Sequence, residues 1–245
     1  MNKKLALGIT LCLGLTSQTW AAPFVNGGFE DGTFNGWSQD GGFVGTGPVY
    51  FPNGSNRNAI VGSGLDALTN NNLNQVYSGN YSARVEDSNN GALYSTVTQK
   101  VVNYTDANIF FAWAAVLDDP QHDAIEQPRF SIKLSDDTTS TVLYDVTFDV
   151  SNPAPGITLN NGAGSWKYTN WVIQSLDVSA RSGHDFTLTV LAADCTLGGH
   201  GGYAYVDGFG AVIPPGGDVP EPGMLALLGI GVAGMASLRR KKVNV

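Results

Sequence analysis

Between Ala22 and Pro214 apolar residues recur at every second position, not at every third or fourth. Phe130, Ile132 and Leu134 alternate with Ser131, Lys133 and Ser135. Val142, Tyr144, Val146, Phe148 and Val150 alternate with Leu143, Asp145, Thr147 and Asp149, and Phe186, Leu188 and Val190 with Thr187 and Thr189. Successive side chains of a strand point to opposite faces, so this period predicts half-buried strands with one wet face, as in antiparallel sheets. β-Branched and aromatic runs between Gly, Asn, Asp and Ser clusters predict further strands near 24–30, 82–87, 93–102, 109–117, 168–178 and 203–213. Roughly nine or ten strands in one domain predict an all-β, two-sheet antiparallel sandwich. From Pro52 to Asn80 the pattern lapses into Asn, Gly and Ser with scattered Ile60, Leu65, Leu68 and Leu73. That stretch reads as a long functional or mobile loop.

The two ends follow a different rule. Lys3 and Lys4, an apolar stretch from Leu5 to Leu15 and a small-x-small site at Thr19-Trp20-Ala21 predict a secretory signal peptide over 1–21. A cut after Ala22 would place bulky Trp20 at the −3 position, so the cut is expected after Ala21. Cys12 lies in the apolar stretch without a lipobox around it. The sandwich domain is assigned to 22–213 and a Pro/Gly linker to 214–222, followed by an uncharged run over 223–238 and a basic tail over 239–245. Sixteen helical residues reach roughly 24 Å, short of a hydrocarbon core of about 30 Å, so a spanning helix needs local thinning or snorkelling flanks. Arg239, Arg240, Lys241 and Lys242 would hold its end in the cytoplasm. A buried core helix with a charged end is the competing account.

Val219-Pro220-Glu221-Pro222, the apolar run and the basic stop resemble the PEP-CTERM sorting tail of gram-negative bacteria. The resemblance implies an exosortase as processing partner, recognition at Pro220, Glu221 and Pro222, and removal of the helix and basic end. It also implies transient anchoring in the inner membrane, then a place at the cell surface or in an extracellular, polysaccharide-rich biofilm matrix.

Charge narrows the partners. Six of the 13 basic residues lie in the two terminal segments, whereas all 21 acidic ones lie between them, which leaves 7 − 21 = −14 on the exported part. Such a balance excludes nucleic-acid and anionic-lipid binding and suits an extracellular surface that recruits divalent cations. Once the signal is removed, Cys195 is the one cysteine left, so no intramolecular disulfide is expected.

Asn26-Gly27-Gly28-Phe29-Glu30-Asp31-Gly32 followed by Gly36-Trp37, then Gly79-Asn80-Tyr81-Ser82-Ala83-Arg84-Val85 and a closing Tyr203-Ala204-Tyr205-Val206-Asp207 resemble the galactose-binding-like jelly rolls, many of them carbohydrate-binding modules. This resemblance spans most of 24–213. It implies a jelly-roll sandwich whose first and last strands lie together, with Glu30 and Asp207, and Asp31 beside them, as ligands of a structural Ca2+. The competing account has Glu30 capping a turn and Asp207 ending a strand.

Two further groups carry candidate chemistry. Asp118-Asp119-Pro120-x-His122-x-x-x-Glu126 and Asp194-Cys195-x-x-Gly198-Gly199-His200 look like a paired signature of bacterial surface proteins. His122, Glu126, Asp194, Cys195 and His200 are read as polar side chains that join two loops at the sandwich edge. Zinc binding and a Cys–His nucleophile and base are the alternatives. Among the aromatics, Trp113 is assigned to the core, while Trp166, Tyr168 and Trp171 follow or adjoin the glycine-rich loop 161–164 and could stack on sugar rings. Core or edge packing is the competing account. The adjacent pairs Glu86-Asp87, Asp118-Asp119 and Asp136-Asp137 have the look of solvated turns, not of a glycosidase acid and nucleophile. The expected function is therefore a non-catalytic, polysaccharide-binding surface or matrix protein that uses Trp166, Tyr168, Trp171 and the 52–80 loop. A structural adhesin or coat component acting by protein contacts is the second reading, and a polysaccharide-active hydrolase the third.

Overall fold

The computed structural model describes residues 24–47 and 49–213. The predicted signal peptide, the linker with Pro220, Glu221 and Pro222, the helix over 223–238 and the basic tail lie outside the described residues.

In chain order the strands are β1 (Ser38–Gly45), β2 (Val49–Pro52), β3 (Ala59–Gly62), β4 (Tyr81–Val85), β5 (Leu93–Tyr104), β6 (Asn108–Asp118) and β7 (Arg129–Asp136). They continue with β8 (Thr141–Asp149), β9 (Asn160–Asn161), β10 (Trp166–Tyr168), β11 (Val172–Asp177), β12 (His184–Ala193) and β13 (Gly202–Gly210). One sheet runs β2-β1-β5-β12-β7-β8; the other runs β3-β4-β13-β6-β10-β9, with β11 also paired to β6. Every pairing is antiparallel, which makes the domain a two-sheet jelly-roll sandwich. Among the described residues no helix is long and apolar enough to cross a membrane.

The core is what the alternation predicts. Phe130, Ile132 and Leu134 from β7 and Phe186, Leu188 and Val190 from β12 face Trp113, Ala115 and Leu117 from β6, all buried in one cluster. Trp113 stacks on Phe130 with ring centroids 4.6 Å apart. β6 is buried on both faces, because Ala114 and Val116 belong to a second apolar cluster outside the sheet, with Leu73, Tyr168, Tyr203 and Tyr205. That explains its unbroken apolar run.

Four expectations are corrected. No strand forms over 24–30: Asn26 and Phe29 take left-handed backbone angles (φ 51° and 58°), and the segment turns instead. It still lies beside the last strand, since Phe209 N–H donates to the Gly27 carbonyl at 3.0 Å. A Cβ on Gly27 would stand 1.8 Å from the Phe209 carbonyl oxygen, so glycine is required there. The 168–178 strand is broken into β10 and β11. Opposite Leu134 and Ser135 of β7, the register of β8 slips by one residue at Leu143, so Leu143 turns to the core and Val142 is left exposed. Finally, the 52–80 stretch is no open loop. It contains β3 and a single 3-10 turn (Ala67–Thr69), and it covers the outer face of the second sheet.

Candidate functional site

The first candidate lies where the opening segment meets β13. Phe29 and Trp37 stack (centroids 4.8 Å) and plug the sandwich end, which turns neighbouring Glu30 outward towards residues 79–81. Its carboxylate accepts from the Asn80 amide at 3.0 Å and the Tyr81 amide at 3.1 Å. Gly79 lies at φ +76°, and a Cβ there would come within 2.4 Å of Glu30 Oε1. Asp31 turns away: hydrogen bonds from Thr33, then Asn35 and Asn26, hold its carboxyl below the usual range. Asp207, on β13, is 1% exposed. Its Oδ2 accepts from the Tyr77 and Ser78 amides (3.1 and 3.0 Å), while Oδ1 is buried without a hydrogen-bond partner. Burial pushes this carboxyl up to about 7, the Glu30 charge adding to the rise. Glu30 and Asp207 line one cleft of about 290 Å³ with Gly28, Gly79 and Gly208. The orphaned Oδ1 beside a second carboxylate and bare backbone fits a hard, oxygen-seeking cation such as Ca2+.

The second candidate is aromatic. Asp66, buried, caps the turn at Ala67 by accepting from the Leu68 amide at 2.8 Å, and its other oxygen accepts from both the Tyr203 and Tyr205 hydroxyls at 2.6 and 2.8 Å. Trp171 Nε1 donates to the Asn74 carbonyl at 2.9 Å, pinning the far side of the same cover. Tyr168, 5% exposed, packs under it with Leu73 and has no face left for a ligand. Trp166 is half-buried against Tyr203, with centroids 5.7 Å apart. Trp171 lines a cleft of about 190 Å³ with Ile157, Thr158, Asn160 and Asn170. Asn160 Nδ2 donates to Asn170 Oδ1 at a long 3.3 Å. Asn170 directly precedes the indole in the chain, whereas Asn160 is brought to it by the fold.

The third candidate comprises the signature residues, which fall into two groups. His122, Cys195 and His200 come together, their ligating atoms all within 4.8 Å of one another. Glu126 contributes its carbonyl to the Thr196 amide, at 3.2 Å. The loops are thus joined through main chain, and Nδ1 of both histidines is buried without a hydrogen-bond partner. Asp194 instead faces Arg57 and Glu86. Arg57 lies 3.2, 3.1 and 3.6 Å from carboxylate oxygens of Glu86, Asp87 and Asp194. Burial, then the Glu86 charge, pushes the Asp194 carboxyl up to about 8, and burial raises Glu86 as well. The sequence does not announce this knot: a lone arginine 29 residues before its partner Glu86 looks like a surface residue.

Residues 218–241 match the PEP-CTERM protein-sorting motif. The chain therefore bears the signal of proteins that are exported and transiently membrane-anchored before surface display. None of the curated proteins matches it. Among solved structures, TmCBM61 in complex with β-1,4-galactotriose shares 13% identity, with 77% of this chain and 96% of that one covered and a TM-score of 0.42. A carbohydrate-binding module specific for non-crystalline cellulose, CBM28, shares 15% (76% and 92% covered, TM-score 0.37). The K1 cleaved adhesin domain of Lys-gingipain from Porphyromonas gingivalis W83 shares 10% (74% and 92% covered, TM-score 0.37). These likenesses are loose, and the sandwich rests on its own strand pairing.

Proposed function

We propose that this is an exosortase-sorted surface or matrix protein whose sandwich binds extracellular polysaccharide and does not cleave it. The observation that supports the reading is the Trp171 cleft. An indole face offers stacking to the C–H face of a sugar ring, and two amides beside it offer both donors and acceptors to ring hydroxyls. The Asn160–Asn170 bond is long enough to be exchanged for a hydroxyl at little cost. Affinity electrophoresis of the secreted protein through polysaccharide-loaded gels tests this. Retardation is expected, reduced at least about tenfold in affinity by Trp171→Ala, the equivalent of about 1.4 kcal/mol. Asn170→Ala, which leaves the indole's bond to Asn74 in place, should weaken retention too. No retention on any glycan, together with self-association, would instead favour an adhesin, and steady release of reducing sugar a hydrolase.

The reading includes a structural Ca2+ held by Glu30 and Asp207, which would neutralise the two facing carboxylates and tie the opening segment to β13. A chelator should then lower the melting temperature and added calcium restore it by binding linkage. Asp207→Asn should lose that response while staying folded, because it removes a buried, partly unpaired carboxylate. A melting curve indifferent to chelator, calcium and substitution would leave Glu30 as a turn cap only.

A further inference from the structure

We propose that His122, Cys195 and His200 form a mononuclear site for a transition metal of the zinc class. The site is built where three strands end. β6 stops at Asp118, β12 at Ala193, and β13 starts at Gly202, which brings the loops 119–128 and 194–201 face to face. Gly198, at φ +75°, closes a turn in which its amide donates to the Cys195 carbonyl at 2.9 Å. The Cys195 amide donates to the His200 carbonyl at the same distance, folding His200 back over the cysteine. On the other loop Gln127 Nε2 donates to the His122 carbonyl at 2.7 Å and fixes its backbone.

Within this frame one ligand atom from each of the three residues converges, all within 4.8 Å of one another. Cys195 is a buried free thiol, and both histidine Nδ1 atoms are buried and unpartnered. The two rings meet edge to face, at 84° with centroids 5.0 Å apart. Leaving buried polar atoms unbonded is unfavourable, and a single cation would satisfy all three. Sulfur with two imidazoles selects a borderline-soft ion and disfavours Ca2+ and Mg2+, which take oxygen ligands. Bond lengths of about 2.3 Å to sulfur and about 2.0–2.1 Å to nitrogen place tetrahedral ligand atoms roughly 3.3–3.7 Å apart. The present span of up to 4.8 Å means the ligand atoms must close by about 1 Å to reach such a geometry. Methionines occur only at 1, 224 and 235, outside the sandwich, so the long axial thioether of a blue-copper site has no candidate. Both histidines keep some solvent exposure, while the thiol is buried. Binding displaces the thiol proton to solvent and leaves thiolate as the ligand.

The test loads the purified full chain with Zn2+ alone, and separately with Co2+ as a spectroscopic probe. One zinc per chain is expected, along with a thiolate-to-cobalt charge-transfer band. Cys195→Ala should abolish the band. His122→Gln and His200→Gln should each weaken zinc binding by at least about hundredfold, since loss of mere outer partners costs about 10–100-fold. His122→Gln, at a half-exposed position, keeps the test open if Cys195→Ala fails to fold. Folded wild type that takes up no stoichiometric zinc, or uptake unchanged in the variants, would overturn the site. Uptake of Cu+ with no uptake of Zn2+ would overturn the zinc assignment.

Discussion

Asp66→Ala is expected to lower the unfolding free energy by about 2–6 kcal/mol, because it orphans two buried tyrosine hydroxyls at about 1–3 kcal/mol each. Tyr203 and Tyr205 both donate to one Asp66 oxygen, at 2.6 and 2.8 Å. Burial, with the Asp66 charge contributing in each case, raises both phenols far above the ordinary tyrosine range, so they stay donors throughout the accessible pH range. The same substitution removes the cap on the turn at Ala67, and with it the anchor of the cover over the second sheet. Urea unfolding measures the loss. The discriminating comparison is Asp66→Ala combined with Tyr203→Phe and Tyr205→Phe. With no donor left unpaired, the triple variant should be more stable than Asp66→Ala alone. A single variant within about 0.5 kcal/mol of wild type, the usual range for surface changes, would show that the network carries no stability.

Asp136→Asn should cost about 1.5–3 kcal/mol at neutral pH, the worth of hydrogen bonds to a charged group. Asp136 is fully buried and accepts from Arg181 Nη1 at 2.7 Å and the Thr139 amide at 3.1 Å, with His184 Nδ1 at 2.8 Å. Burial pushes its carboxyl up, but the hydrogen bonds from His184, Thr139 and Arg181 together outweigh it and hold the group well below the usual carboxylate range. A carboxyl depressed in the folded state stabilises above its unfolded value, about 3.9, and loses that contribution as pH falls through the folded value. The gap between wild type and Asp136→Asn should therefore persist above about pH 5 and narrow below about pH 4. A gap of constant size down to the acid transition would mean that the asparagine loses shape or packing and not charge.

Period-two alternation made β7, β12 and most of β8 legible, β-branched and aromatic runs marked β5, and the unbroken run of β6 was legible as a strand though not as one buried on both faces. β1 was not, because Gly41, Gly42 and Gly45 interrupt any pattern, and β2 is only four residues long. Those glycines answer to close backbone neighbours instead: a Cβ on Gly41 or Gly42 would lie 2.1 Å from the Ser55 or Phe51 carbonyl oxygen. For the sites, the meeting of Glu30 with Asp207 followed from the resemblance to jelly rolls, and local spacing could not have supplied it. Tyr168 looked available beside a glycine-rich loop, yet it is buried by Leu73, 95 residues earlier in the chain. Asp66 has its tyrosine partners 137 and 139 residues away, beyond the reach of any local pattern. The repeated His and Cys of the signature pointed to one place, but that two ring nitrogens there are left without partners is visible only in three dimensions.

β13 runs from Gly202, next to the His–Cys group, to Gly210, three residues before the described chain ends at Ile213. Nine extended residues measure roughly 30 Å, so one strand sets the lever arm between the two ends of the molecule's purpose. The described residues end at one pole, and the histidines and thiol occupy the other. Trimming at the Pro-Glu-Pro would thus leave the distant pole chemically untouched. Anchored and released forms should carry identical chemistry there, differing only in how far from the cell it is delivered.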